Sequence, residues 1–466
     1  MSTPVIWIFI PVAASLGLLA FRRHRSLVNS LGILLTFGLG LLAKFFPFEG
    51  GLTIGSIQVQ ISTSLAVLGR TFTLPEGSQT FLALIFLTTG FWFLIASRVD
   101  VNRSLIPAGL GVVGFLVAAT AVQPFLYAAL LIEVAVLWSV LFLSPPGVQI
   151  SRGVLRYLIF LTLAMPFILF TGWMLSGTET VSANSEEVIR AVLLFGLSFA
   201  FLLAIFPFHT WIPLLAEDAG PLTGGFIFWL LQTTGLFLMV TFLDQFGWLR
   251  TFPVFLQALR LTGLLMVVSG GLWAAFQTRM DRMFGYAVII ETGMSLLALS
   301  LNTAVGFNSF AELFLSRAPA YLLWVYGATQ IKQLRGSLDF QAVEGVFHQT
   351  PFAAGAVILS ALSLAGVPLL AAFPIRLVLL EGLSQQSISA AVWTVVGCLG
   401  LLAGALRMLW HLLKSNELGT WTIVETRLDQ ALLSLGAVLL LAFGVFPQTF
   451  VPPMLEMLTN FTHLGG

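Results

Sequence analysis

What this chain can fold into is decided first by how far it runs without a charge. Uncharged stretches at 4–21, 26–43, 77–97, 104–132, 157–178, 191–216, 219–243, 349–375, 382–406 and 430–455 are each long enough to cross a bilayer, which takes about 20 mostly apolar residues. Four further segments carry one or two charges (about 121–145, 254–276, 283–301 and 309–331) and bring the count to fourteen. Glu133 alone interrupts the apolar stretch 104–151, which is long enough for two spans. With 9% of its residues charged and 58% hydrophobic, the chain reads as an all-α polytopic membrane protein with about fourteen transmembrane helices.

The same arithmetic removes other classes. The first apolar segment has no basic residues before it and no convincing cleavage site before the RRHR at 22–25, so it reads as a retained span. The single cysteine, Cys398, lies in an apolar run and excludes a disulfide framework or a cysteine metal site. A net charge of +1 gives no electrostatic case for nucleic acid. The longest polar-leaning segments, 44–80, 332–348 and 414–428, are too short to hold a flavin, nucleotide or cluster. No cofactor is expected, and redox chemistry would come from partners. The stretch at 54–62, IGSIQVQIS, alternates apolar and polar residues and reads either as a short strand or as loop. GLGVVG at 109–114 has dinucleotide-loop spacing, but it lies inside a span with no strand before it. Its glycines suit close helix packing instead.

Basic residues fall on alternate loops. With the N-terminus outside, the inner loops carry Arg22, Arg23, Arg25, Arg98, Arg103, Arg152, Arg156, Arg279, Arg282, Lys332, Arg335, Arg407, Lys414 and Arg427. The outer loops carry Lys44, Arg70, Arg190 and Arg250. By the positive-inside rule both termini face outward, and an even number of spans agrees.

Two spans are broken. Pro207 and Pro213 interrupt the seventh, Pro368 and Pro374 the twelfth, and the two pairs are offset by 161 residues. Glu133 and Glu291 are offset by 158. Features recurring at one spacing suggest two related five-helix halves, 104–243 and 254–414, after an N-terminal three-helix segment (1–103) and before a C-terminal helix and tail (415–466). A proline inside a span frees a backbone carbonyl, which hydrocarbon tolerates only where protein or water satisfies it. The breaks therefore read as polar interior sites, or as packing kinks.

FPFHTWIP at 206–213, followed by EDAGPLTGG, resembles a signature of the antiporter-like membrane subunits shared by respiratory complex I, membrane-bound hydrogenases and multisubunit cation/proton antiporters. SLAGVPLLAAFPIR (363–376) is similar to that family's broken twelfth helix, YAVIIETGMSLLAL (286–299) to its tenth, and LLIEVAVLWSVLFL (130–143) to its fifth. The resemblance covers about 104–414. It implies fourteen spans with both ends outside, a place among other membrane subunits, and proton or sodium movement coupled to them.

The departures are chemical. Where the family carries a lysine seven residues before the signature histidine, this chain has Leu202; an eighth-span lysine corresponds to Gln232, and a twelfth-span lysine to Arg376. The eleventh-span lysine has no clean match, Arg317 being nearest. Buried lysine exchanges a proton near neutrality when its surroundings shift it; arginine does not, and glutamine only hydrogen-bonds. Glu133, Glu291, Glu312 and His209 remain as titratable groups inside spans. An ionisable group in mid-membrane is a functional candidate by default. Glu133, deep in its span, reads as a proton site or ion-pair partner; for Glu291 an active and a passive role both stand. Glu312 and Arg317 read as a local structural pair, Arg376 as a fixed charge paired with a carboxylate of another span, and His209 as a hydrogen-bonding pin for the break. Glu217 and Asp218 read as a solvated turn at the inner surface.

The expectation is an antiporter-like subunit in an energy-transducing membrane, bacterial plasma membrane or thylakoid-type, embedded in lipid beside other membrane subunits. Nothing in the chain marks it as catalytic on its own; an oxidoreductase of the NADH/quinone type would be the whole assembly's activity. Two rivals stand beside ion translocation: a degenerate scaffold that conducts nothing, and a stand-alone secondary transporter.

Overall fold

The computed structural model describes all residues except 1, 55–56, 100–101, 145–146, 148, 176–185, 415–420, 460 and 462–466. In chain order the helices are α1 (Ile10–Ala20), α2 (Arg25–Phe45), α3 (Ser78–Arg98), α4 (Leu105–Ala121), α5 (Ala128–Leu143), α6 (Arg152–Leu175), α7 (Glu186–Leu202), α8 (Trp211–Ala219), α9 (Pro221–Gln245) and α10 (Pro253–Phe276). They continue with α11 (Met280–Ser300), α12 (Ala304–Arg335), α13 (Pro351–Ala365), α14 (Ala372–Gln386), α15 (Ile388–Leu413), α16 (Arg427–Val445) and α17 (Pro447–Leu455). Among the described residues nine helices are long and apolar enough to cross a membrane, and shorter apolar helices run at Val5–Ala20, Leu105–Ala121, Ile189–Leu202 and Pro351–Ala365.

The protein is mostly helical, but the all-α expectation needs amending. Between α2 and α3 lie two antiparallel hairpins: β1 (Gly50–Ile54) with β2 (Ile57–Ile61), and β3 (Ser64–Val67) with β4 (Arg70–Thr73). A two-residue strand, β5 (Val122–Gln123), adds to β4 through Thr71↔Gln123 and Phe72↔Val122. The period-two pattern of IQVQI is what a strand requires. Residues 55 and 56 of the alternating stretch lie outside the described residues.

The chain packs as two compact units. The first contains Met1–Leu203, Leu230–Thr251 and Glu456–Gly466; the second contains Ala204–Trp229 and Phe252–Leu455. In the first unit α1 and α5 pack on α4, α2 on α3, and α6 on α7. The GLGVVG glycines sit on α4 where helices touch: a Cβ on Gly111 would meet Ser15 Oγ at 2.6 Å, and one on Gly114 would meet Val12 Cγ2 at 2.7 Å. Small residues let helix backbones approach where no hydrophobic drive separates lipid from protein.

In the second unit α10 lies between α11 and α15, α12 packs on α13 and α16, and α8 packs on α11. Helix α11 is buried along almost its whole length, covered by α8, α10 and α12. Helix α12 continues through Pro319 and ends at Gly336, whose left-handed conformation lets its amide bond the Lys332 carbonyl at 2.8 Å. Outward faces are greasy: Leu34, Trp273, Trp393, Leu399 and Val438 are all exposed. Lipid or neighbouring subunits are the surroundings such faces need.

Candidate functional site

The two proline pairs do the same geometric job. α7 ends at Leu202 and the chain resumes as α8 at Trp211; α13 ends at Ala365 and resumes as α14 at Ala372. In each pair the first proline (Pro207, Pro368) lies in the break, and the second (Pro213, Pro374) is the third residue of the resumed helix. The first four amides of a helix have no intrahelical acceptor, so a proline there removes nothing and its fixed φ favours helix entry.

The breaks differ in how they close. At the second, Gly366 takes φ +83° and its amide bonds the Ser363 carbonyl at 2.9 Å, while Val367 N–H bonds Leu362 O at 3.0 Å. This pair of bonds is the Schellman closure, which satisfies the final carbonyls of α13. At the first, no glycine is present and Ala204 takes φ +54°. His209 is stacked on Phe206, with ring centroids 5.5 Å apart, and its buried Nδ1 makes no hydrogen bond. The hydrogen-bonding pin expected of His209 is therefore not formed; the ring is held by stacking.

The charged centre lies in the second unit. Glu291 on α11 is fully buried, and two arginines converge on it. Arg376, in the second turn of α14, donates from Nη2 to Glu291 Oε1. Arg317 on α12 places Nε 3.5 Å from Glu291 Oε2, an ion-pair distance without a hydrogen bond. Arg317 Nη2 also donates to the Glu291 carbonyl at 2.8 Å and to Ser295 Oγ at 2.7 Å. Ser295 Oγ in turn donates to that same carbonyl at 3.1 Å, a bond that the i, i+4 spacing of one helix face permits. Arg376 Nη1 donates to Cys398 Sγ on α15 at 3.1 Å. Its side chain crosses the break beside Gly366, where a Cβ would come within 2.9 Å of Arg376 Cδ. The glycine thus closes α13 and makes room for the arginine.

The pairing of Arg376 with a carboxylate of another helix was expected, and the partner is Glu291. The local pair of Glu312 with Arg317 does not form. Five residues along an α-helix turn through about 500°, leaving side chains about 140° apart, and Arg317 turns to α11. Glu312 is half-buried without an ion pair among the described residues. Glu217 is also more than a solvated turn. It accepts from Arg282 at 2.5 Å and lies 3.5 Å from Arg279, tying the end of α8 to the start of α11.

In the first unit the candidates stand in other surroundings. Leu202 is buried and lines an apolar cavity of about 10 Å³ with Leu116, Ile132, Leu231 and Leu238. It packs over Gly235, where a Cβ would meet Leu202 Cγ at 3.5 Å. Gln232 is buried on α9 between Leu231 and Thr233. Glu133 is half-buried on α5; Thr162 donates to its Oε1 at 2.9 Å, and its Oε2 is buried without a hydrogen bond. Among the described residues no lysine or arginine reaches ion-pair distance of Glu133. No group of three or more His, Cys, Asp or Glu side chains arranged to hold a metal occurs among the described residues.

Sequence reading missed Ser295 and Cys398 as neighbours of the arginines. Ser295 was detectable, four residues after Glu291 on the same face. Cys398 was not, because only the packing of α14 on α15 brings it to Arg376.

The family described as NADH:quinone oxidoreductase/Mrp antiporter, TM, matches residues 159–403, just over half the chain. NADH-quinone oxidoreductase subunit N 2 of Acidobacterium capsulatum is 25% identical over 281 residues, 56% of each chain. Subunit N of Polaromonas naphthalenivorans is 27% identical over 347 residues, covering 68% of this chain and 69% of that one. The matches to the first relatives thus span a little over half their length, 56% and 59%. Among solved structures, a chain of respiratory complex I from Thermus thermophilus superposes with TM-score 0.80 at 20% identity, covering all of both chains. A chain of the Mrp complex from Dietzia sp. DQ12-45-1b superposes with TM-score 0.81 at 15% identity, covering 98% of this chain and 97% of that one.

Proposed function

The chain belongs to the NADH:quinone oxidoreductase/Mrp antiporter transmembrane family, and from that premise we propose that it serves as a non-pumping antiporter-like subunit. In this reading it fills a place in a complex-I-like or Mrp-like membrane assembly while moving little or no proton or sodium itself. Ion movement coupled to partner subunits is the role the family resemblance implies. The observation that carries the departure from it is the clamp of Glu291 between Arg317 and Arg376. Arginine keeps its proton across the working pH range, so neither cation can hand one on. Neutralising Glu291 would leave two buried guanidiniums without a counterion. The centre holds charge in place; it does not switch it.

Leu202 supports the same reading, because it occupies the resemblance's lysine position with an apolar side chain in apolar surroundings. Counting α7 with α8 and α13 with α14 as single broken spans, and leaving out the nine-residue α17, favours fourteen spans, and the basic-loop pattern favours both termini outside. The paired breaks favour two related halves, 104–243 and 254–414. The energy-transducing membrane and the neighbouring subunits follow from the same family reading.

The test is ion flux in proteoliposomes across an imposed gradient, with wild-type chain and Glu133→Gln. Little or no flux in both is expected. Robust flux abolished by Glu133→Gln would show a carboxylate relay in place of the lysines, and the non-pumping reading would fall.

A further inference from the structure

We propose that the cavity beside Arg376, between α14 and α15, binds a single-chain amphiphile with a carboxylate head, of the fatty-acid class. Arg317 and Arg376 share Glu291 as their only carboxylate partner among the described residues, so with Cys398 as a thiol the buried cluster carries a net charge of +1. An unbalanced charge in apolar surroundings is costly, and a monoanion at this place would cancel it.

Arg376 is 4% exposed and lines the cavity, and its Nε makes no hydrogen bond. A guanidinium offers a planar fork of donors matched to a carboxylate, and here one edge is only partly used.

The cavity, of about 200 Å³, is lined by apolar side chains including Val367, Leu377, Val395 and Leu399. Leu377 and Leu399 are more than half exposed on the outer faces of their helices, so the cavity opens sideways, where an acyl chain comes from. Depth selects the head. Glu291 is the twelfth residue of α11, about 16 Å along the helix at 1.5 Å per residue, near the middle of a hydrocarbon core about 30 Å thick. A carboxylic acid can enter that region in its neutral form, whereas a phosphodiester remains charged.

Cys398 lines the same cavity and is the chain's single cysteine, so its alkylation by a small maleimide reports on this site alone. The experiment uses the full chain, delipidated in mild detergent. Added oleate is expected to slow alkylation at least about fivefold, while methyl oleate, with the same tail and no charge, gives no protection. Arg376→Gln is expected to remove the protection. Because that variant also disturbs the Glu291 clamp, Leu399→Trp serves as a second variant that obstructs the sideways opening without touching a charge, and it too is expected to remove protection. Equal protection by acetate or chloride would reassign the cavity to small aqueous anions, and equal protection by phosphatidylglycerol to phospholipid; either overturns the proposal. So does equal protection by methyl oleate, or an alkylation rate unchanged by oleate.

Discussion

At 366–371 the chain leaves α13 through a left-handed glycine that satisfies the helix end and admits Arg376; at 203–210 it leaves α7 through Ala204 at φ +54° into a stacked His209 and Phe206. Both breaks have prolines six residues apart, with the second proline in the first turn of the resumed helix. The comparison separates two things that a motif runs together. Proline spacing marks where a helix restarts, because the second proline acts through the backbone in the first turn of the resumed helix. What the break can do is set by the side chains packed against it. Around the second break those are a carboxylate and two guanidiniums; the residue that closes α7, Leu202, is walled in by leucine and isoleucine.

The largest expected effect tests whether the second break depends on its charge balance. Glu291→Gln removes the carboxylate shared by two buried arginines, and breaking a buried ion pair from one side costs about 3–5 kcal/mol. A large fall in thermal midpoint and in yield from mild detergent is expected. Replacing the cluster together (Glu291→Leu, Arg317→Met, Arg376→Met) is expected to recover most of the loss, since the desolvation penalty goes with the charges. A triple variant less stable than Glu291→Gln would mean that the cluster stabilises by more than mutual neutralisation.

Next comes the matching position in the first unit. Leu202→Lys places an ammonium among Leu116, Ile132, Leu231 and Leu238, at a cost of about 2.5–3.5 kcal/mol by membrane-insertion scales. Leu202→Met, which keeps the volume, should cost less than about 1.5 kcal/mol. Thermal midpoints of the two variants check this. A Leu202→Lys chain as stable as wild type would show that a polar path survives there, and would reopen ion translocation.

How much of this was legible in the sequence follows from the range of each interaction. The uncharged stretches and the prolines act locally, so helices and breaks could be read from neighbours along the chain. The strand at 57–61 was readable from its alternation, but β3 and β4 have no comparable pattern. The charged centre is long-range: Glu291 meets Arg376 across 85 residues, and Arg376 meets Cys398 across 22. Single-chain spacing favoured Glu312 as the partner of Arg317 only because it was near in sequence, and helical rotation turns those two apart. That Arg376 needed a carboxylate was readable from the cost of burying a charge; which carboxylate was not.

A smaller effect compares how the two breaks close. Gly366→Ala forces a Cβ into φ +83° and toward Arg376 Cδ, which should cost at least the 1–2 kcal/mol of left-handed strain. Ala204→Gly releases similar strain at φ +54° but loosens the unfolded chain by about 0.4–1 kcal/mol. A net gain of about 0.5 kcal/mol is expected. Opposite signs in the two thermal midpoints would support the contrast, and equal signs would refute it.

The smallest effect lies outside the membrane-spanning helices and tests whether the buried cluster differs in kind from a surface one. Glu344 accepts from Lys414 Nζ at 2.9 Å and pairs with His411 Nδ1 at 3.0 Å. The hydrogen bond from Lys414, then that from His411, holds its carboxyl below the ordinary 4.5. A carboxylate whose folded pKa is depressed contributes stability that is full above its unfolded value and is lost as pH falls through the folded one. Wild type should therefore exceed Glu344→Gln in thermal midpoint by a small margin above about pH 5, and the margin should close as pH falls below 4.5. Added salt should also shrink it, since an exposed pair is screened over a Debye length of about 8–10 Å at physiological ionic strength. The deficit of Glu291→Gln, in a buried cluster, should hardly respond to salt. A salt-insensitive margin at Glu344 would show that this pair, too, is shielded from water, and the distinction between the two clusters would be one of degree.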